Sequence, residues 1–127
     1  MSNTVTQGIR VQVKVSFWPE RSNVEAGQWA FAYTITITNE GDAPATLRSR
    51  HWLITDATGQ VEEVRGPGVV GKQPRLGPGE RFEYTSWAML RTPFGTMRGE
   101  YLMERVDGGR FEAKISEFVL SQPNALN

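Results

Sequence analysis

The residues with the clearest chemical potential are six in a row, Gly66-Pro67-Gly68-Val69-Val70-Gly71, which fit the spacing G-x-G-x-x-G. That spacing holds a pyrophosphate when it follows a strand and opens a helix, because the helix N-terminal amides and dipole then face the anion. Val61 to Val64 supplies a strand. Pro67 stands inside the motif, however, and Gln73-Pro74 through Pro78-Gly79 leaves no room for a helix behind it. The segment therefore predicts a structural loop or partner-contact surface. An anion site remains the alternative, with backbone amides of Gly66, Gly68 and Gly71 forming a nest and Lys72 and Arg75 adding charge.

A second group is Arg48-Ser49-Arg50-His51-Trp52. At a period of two, Arg48, Arg50 and Trp52 share one face, and Ser49 and His51 the other. Two arginines beside an indole suit an anionic ligand or a stacked base. The plainer expectation is a solvated face whose arginine stems cover Trp52. His51 is expected to be a hydrogen-bonded, partly buried side chain rather than a general base, since no recognisable nucleophile accompanies it. Glu62 and Glu63 are adjacent and point to opposite faces of a strand, so they do not make a catalytic carboxylate pair. Asp56 reads as a turn residue bonding its own backbone. No nucleophile elbow, H-E-x-x-H or calcium-loop spacing is present.

The elements that must position these groups are strands. Trp29, Phe31, Tyr33, Ile35 and Ile37 alternate with Ala30, Ala32, Thr34, Thr36 and Thr38, and Ile9, Val11, Val13, Val15 and Phe17 alternate with polar residues. Strands are also expected over 46–55, 61–64, 82–90, 97–104 and 110–120, the last two joined by a hairpin at Asp107-Gly108-Gly109. Phe111, Ala113 and Ile115 have the opposite parity to Phe118 and Leu120, which calls for a bulge near Ser116-Glu117. Gly66 to Gly79 holds five glycines and three prolines in 14 residues and predicts a long irregular loop. The pattern is all-β: an antiparallel β-sandwich of immunoglobulin or fibronectin type III kind with about seven strands. Trp29, Phe31, Tyr33, Phe82, Tyr84 and Phe111 fit its core, whereas Trp18, Trp87 and Phe94 fall at edges or loops, where aromatics anchor partners.

Composition bounds the rest. The 127 residues make one domain, with an ordered core over about 8–120 and ends, Met1 to Gln7 and Ser121 to Asn127, expected to fray. With no cysteine and one histidine, disulfides, metal–thiolate sites, thiol nucleophiles and His-rich metal sites are excluded within the chain. Fourteen basic and 14 acidic residues balance to zero, against a protein that coats nucleic acid or an anionic membrane. Eleven of those basic residues are arginine, suited to carboxylate and phosphate recognition. No secretory signal or membrane-spanning stretch is seen, and a cytoplasmic setting is the expectation.

Three blocks carry a resemblance. His51-Trp52-Leu53-Ile54-Thr55-Asp56, then Gly66 to Pro74 leading to Leu76-Gly77-Pro78-Gly79, then Thr92-Pro93 with Gly95-Thr96-Met97-Arg98-Gly99, are similar to the ApaG domain, and the likeness runs from about Val11 to Leu120. The strand from Trp29 to Asn39, with Tyr33 and Thr38-Asn39, fits the same pattern. The resemblance implies a fibronectin-III-like sandwich, found alone in bacteria and as a module of larger eukaryotic proteins, including certain F-box proteins and a polymerase-delta-interacting protein. It also implies a protein-interaction role without established catalysis, and links to cobalt and magnesium resistance and to diadenosine tetraphosphate metabolism. A pyrophosphate contact has been suggested for the glycine motif. The resulting expectation is a non-enzymatic binding module with no cofactor and no bound metal. It would present the Gly66–Gly79 loop, Arg48, Arg50, Thr92 and Phe94 to a protein partner, with a nucleotide polyphosphate at Gly66, Gly68, Gly71, Lys72 and Arg75 as the alternative.

Overall fold

Large side chains at every second position must find a second layer to cover them, and here two antiparallel sheets cover each other. A computed structural model describes residues 1–123. In chain order its strands are β1 (Ser2–Thr6), β2 (Ile9–Phe17), β3 (Trp29–Asn39), β4 (Ala45–Asp56), β5 (Val61–Pro67), β6 (Arg75–Leu76), β7 (Arg81–Leu90), β8 (Phe94–Arg105) and β9 (Arg110–Ser121). One sheet has the order β1-β2-β3-β7, the other β5-β4-β8-β9, with β6 paired to the start of β4. All pairings are antiparallel, as a sandwich built from hairpins and crossovers requires.

The inner faces follow the period of two. Phe31, Tyr33, Ile35 and Ile37 of β3 pack with Ile9, Val11 and Val13 of β2 against Trp52, Met97, Tyr101, Met103, Ile115 and Phe118 of the facing sheet. Met97 pairs with Phe118 but Gly99 with Ile115, so β9 spends Ser116 and Glu117 where β8 spends one residue. That bulge is where the parity change placed it, and it lets Phe118 and Leu120 rejoin the core.

Two expectations need correction. Met1 to Gln7 was expected to fray, yet Ser2–Thr6 pairs with Ile9–Val13 across a tight turn in which Gln7 and Gly8 both have positive φ. The strand is too polar to announce itself, but Thr6 Oγ accepts from the Lys114 N–H of β9 at 3.1 Å, so it is pinned to the other sheet. The stretch from Gly66 to Gly79 is also less irregular than expected: β5 runs on to Pro67, and Arg75–Leu76 adds a short strand beside Ala45 and Thr46. At the C-terminus β9 reaches Ser121, and the Gln122 N–H donates to Pro93 O at 2.9 Å; residues 124–127 lie outside the described part.

The two long sides of the sandwich differ. On one, β1 and β2 pack on β9. On the other, the edge strands β5 and β7 face a cleft lined by Tyr33, Arg50, Trp52, Val64, Trp87 and Met89.

Candidate functional site

The glycine motif begins in β5 and turns into the core. Val69 is fully buried. The Gly68 N–H donates to Arg48 O at 2.8 Å, and Val69 and Lys72 exchange backbone bonds of 2.8 and 2.9 Å around a tight turn whose central residues, Val70 and Gly71, are left-handed. No helix follows, so the strand–turn–helix frame of a dinucleotide site is not formed here. Two of the glycines answer to packing. A Cβ on Gly66 would stand 2.9 Å from Arg50 Nη2, and one on Gly68 would stand 2.2 Å from Lys72 O.

Arg50 is the residue this loop encloses. It lies opposite Tyr101 on one side and Gly66 on the other, and its Nη1 donates to the carbonyls of Pro67 and Gly68 at 2.9 and 3.0 Å. Beneath it the hydroxyls of Tyr84 and Tyr101 are hydrogen-bonded. Burial pushes the phenols of Tyr33, Tyr84 and Tyr101 above their ordinary value, and the nearby Arg50 charge only partly opposes this. These phenols stay protonated at neutral pH and supply no base.

Arg48 goes elsewhere, which corrects the expected shared face of Arg48, Arg50 and Trp52. Leu47 pairs with Met103 but Ser49 with Leu102, so Arg48 is the extra residue of a bulge in β4. Its side chain turns outward, where Nε donates to Glu104 Oε1 at 2.8 Å and Nη1 to Gln73 Oε1 at 3.2 Å. Arg110 Nε reaches the other Glu104 oxygen at 3.2 Å, and Arg48 and then Arg110 hold that carboxyl below its usual range. Arg75 and Arg105 line the same shallow cleft. Two guanidinium groups thus share one carboxylate at this end of the sandwich with Arg75 beside them, while the Arg105 guanidinium turns away to lie over the Phe111 ring and donate to Gln7 O at 3.2 Å. Lys72 is exposed on the neighbouring turn.

Thr92 and Phe94 are at the far end of β4. Thr92 Oγ1 accepts from the Ala57 N–H at 3.0 Å and donates to Phe94 O at 2.7 Å, tying the β7–β8 connection to the β4–β5 turn. The structure therefore brings Arg48, Arg75 and Lys72 to one end, turns Arg50 inward, and leaves Thr92 and Phe94 at the other.

One arrangement is invisible at the level of sequence spacing. His51 Nε2 lies 2.6 Å from Glu63 Oε2 and Nδ1 lies 2.7 Å from Glu100 Oε2, which clamps β5, β4 and β8 together on the outer face. The bonds to Glu63 and then Glu100 raise the imidazole pKa above its ordinary value. With both ring nitrogens engaged, His51 ties strands together and has no free lone pair to act as a base. Only the register of three strands assembles this trio, so no motif could have announced it. Among the described residues no cluster of three or more His, Asp and Glu side chains is arranged to hold a metal ion, and no helix is long and apolar enough to cross a membrane.

Comparison with known proteins agrees with this architecture. Residues 19–105 match the family model described as the ApaG domain. The chain is 58% identical over 119 residues to Protein ApaG of Ralstonia nicotianae, covering 94% of this chain and 96% of that protein. It is 55% identical over 127 residues to Protein ApaG of Anaeromyxobacter dehalogenans strain 2CP-C, with both chains fully covered. A crystal structure from Bordetella pertussis superposes with a TM-score of 0.89 at 51% identity, over 92% of this chain and 95% of that one.

Proposed function

The chain belongs to the ApaG domain family, and from that premise we propose that it is a non-enzymatic binding module whose basic end docks on an acidic segment of a protein partner. The observation that carries this reading is the arrangement around Glu104. Arg48 and Arg110 share its carboxylate while Arg75 lines the same cleft, so three arginines stand against one carboxylate and positive charge is in local excess where the neutral chain as a whole shows none. Arginine forks at such a site recognise carboxylates with defined geometry. The surface is shallow, which suits a protein side chain better than an enclosed small molecule. In this reading the family's links to cobalt and magnesium resistance and to diadenosine tetraphosphate metabolism act through the partner.

The test uses the immobilised chain and its Arg75→Glu/Arg110→Glu variant, both checked for folding. Crosslinking in cell extract should recover a partner through residues 46–48, 72–75 or 104–110, and the double reversal should lose it. A partner set unchanged by the reversal would sink the proposal.

A nucleotide polyphosphate at the glycine loop is the second reading. Its support is that, among the described residues, the N–H groups of Val70 and Gly71 carry no backbone bond, with exposed Lys72 next in the chain. Amide shifts at Gly66 to Lys72 on titration with a dinucleoside polyphosphate would favour it, and silence at millimolar ligand would end it.

A further inference from the structure

The cleft side of the sandwich ends in β5, every residue of which is exposed or half-buried. The pairing of β5 with β4 fixes which of its backbone groups are free. Asp56 N–H bonds Gln60 O, and Gly68 N–H bonds Arg48 O; both pairs belong to the same register as Ile54 with Glu62, Trp52 with Val64 and Arg50 with Gly66. Hydrogen-bonded pairs alternate in an antiparallel ladder. The backbone groups of Glu62, Val64 and Gly66 are therefore turned to β4, while those of Val61, Glu63 and Arg65 point away from the sheet.

We propose that this edge pairs with the same edge of a second copy of the chain, β5 to β5, antiparallel and centred on Val64. The outward residues set the allowed registers, because only they can exchange hydrogen bonds across the new seam. Centring on Glu63 puts Glu63 directly against Glu63 of the second copy, and centring on Arg65 puts arginine against arginine. Like charges directly opposite are destabilising. Centring on Val64 instead puts Glu63 against Arg65 of the second copy, and Arg65 against its Glu63, in the hydrogen-bonded pairs.

The inner face agrees with that register independently. Glu62 falls opposite Gly66 of the second copy, the position where the absence of a side chain leaves the Arg50 guanidinium uncovered. Arg50 donates to the Pro67 and Gly68 carbonyls and, among the described residues, forms no ion pair. Glu62 from the second copy supplies its carboxylate. The seam is then charge-complementary on both faces, twice over by symmetry, as an isologous interface must be. Pro67 has no N–H to give and limits the seam to β5. So short an edge buries little surface, and the dimer is weak and concentration-dependent.

Sedimentation of the full chain from micromolar to millimolar concentration tests this. The wild type should show a reversible dimer, and Glu63→Arg and Arg65→Glu should each weaken it at least about tenfold by replacing opposite-charge with like-charge pairs. Mixing these two variants should restore a one-to-one dimer, because every 63-to-65 contact is again of opposite sign. A nitroxide on Gln60→Cys, in a chain otherwise free of cysteine, gives a readout that leaves the charges untouched. In a mixture with isotope-labelled wild type it should broaden the Gly68 and Val69 amides of the unmodified copy. A monomer throughout the range, a dimer indifferent to both reversals, or broadening centred away from β5 would each overturn the proposal.

Discussion

Gly66 and Arg50 occupy what amounts to one residue's space: a methyl group on Gly66 would sit 2.9 Å from Nη2 and 3.0 Å from Cζ of the guanidinium. The glycine is there because the arginine lies across it and reaches the Pro67 and Gly68 carbonyls. Gly66→Ala should displace Arg50 and cost about 1–2 kcal/mol, the worth of a charged group's hydrogen bonds. In an Arg50→Ala background the same change should cost almost nothing. A double-mutant cycle by chemical denaturation reads this coupling, expected at about 1–2 kcal/mol; strict additivity would disconnect the pair.

Gly68 and Gly71 belong to the same motif but to different physics. Gly68 has φ +58° and a Cβ there would strike Lys72 O, whereas Gly71 has φ +79° and open space around it. Gly71→Ala should cost about 1–2 kcal/mol, the left-handed penalty alone. Gly68→Ala should cost more, about 3 kcal/mol or above, since backbone as well as side chain must move. Equal losses in thermal denaturation would mean that the turn rearranges freely.

What could be read from the chain beforehand was whatever depends on neighbours in sequence. Alternation from Trp29 to Thr38 specified a strand and its buried face, and the parity break between Ile115 and Phe118 located a bulge, because side chains on a pleated strand have a fixed period. The bulge at Arg48 left a fainter trace: buried Leu47 has the opposite parity to buried Trp52 and Ile54, but the four residues between Leu47 and Trp52 are polar enough to fit either face and apolar Leu53 shares the parity of Leu47. It changes the site completely, sending Arg48 to Glu104 and Arg50 to the loop. The trio of His51, Glu63 and Glu100 depends on the register of β4 with two partners, and register is a property of the assembled sheet.

That trio gives the stability a pH signature. Bonding to Glu63 and Glu100 raises the His51 pKa from its ordinary 6.5, so its contribution is complete below about 6.5 and fades as pH rises through the raised folded value. Glu63 is lowered from 4.5, first by His51 and then by Arg65, so its contribution is present above about 4.5 and fades as pH falls through the lowered value. Both are in place between those limits. The advantage of wild type over His51→Gln, followed by denaturation midpoint, should therefore be greatest near pH 5–6 and shrink on the alkaline side. A difference independent of pH would mean that the clamp does not involve the imidazolium.

Asn39 at the end of β3 is the one buried polar side chain of the described residues, 1% exposed. Its Nδ2 donates to Ala43 O at 2.8 Å and Leu76 O at 2.9 Å, and its Oδ1 accepts from the Gly41 N–H at 2.9 Å. It thereby holds the β3–β4 turn against β6, next to the basic end. Asn39→Asp keeps the acceptor but, once ionised, turns a carboxylate oxygen on two carbonyls, at a cost of about 3 kcal/mol or more. Protonation restores one donor, so the introduced carboxyl has a folded pKa above its unfolded value of about 3.9. Its penalty is smallest below that unfolded value and grows as pH rises to the folded one. Denaturation at pH 4 and pH 7 should show the variant closer to wild type in acid, and Asn39→Ala, which has no such carboxyl, should lose about the same at both; a carboxyl variant equally unstable at both would show that the two carbonyls do not need a donor.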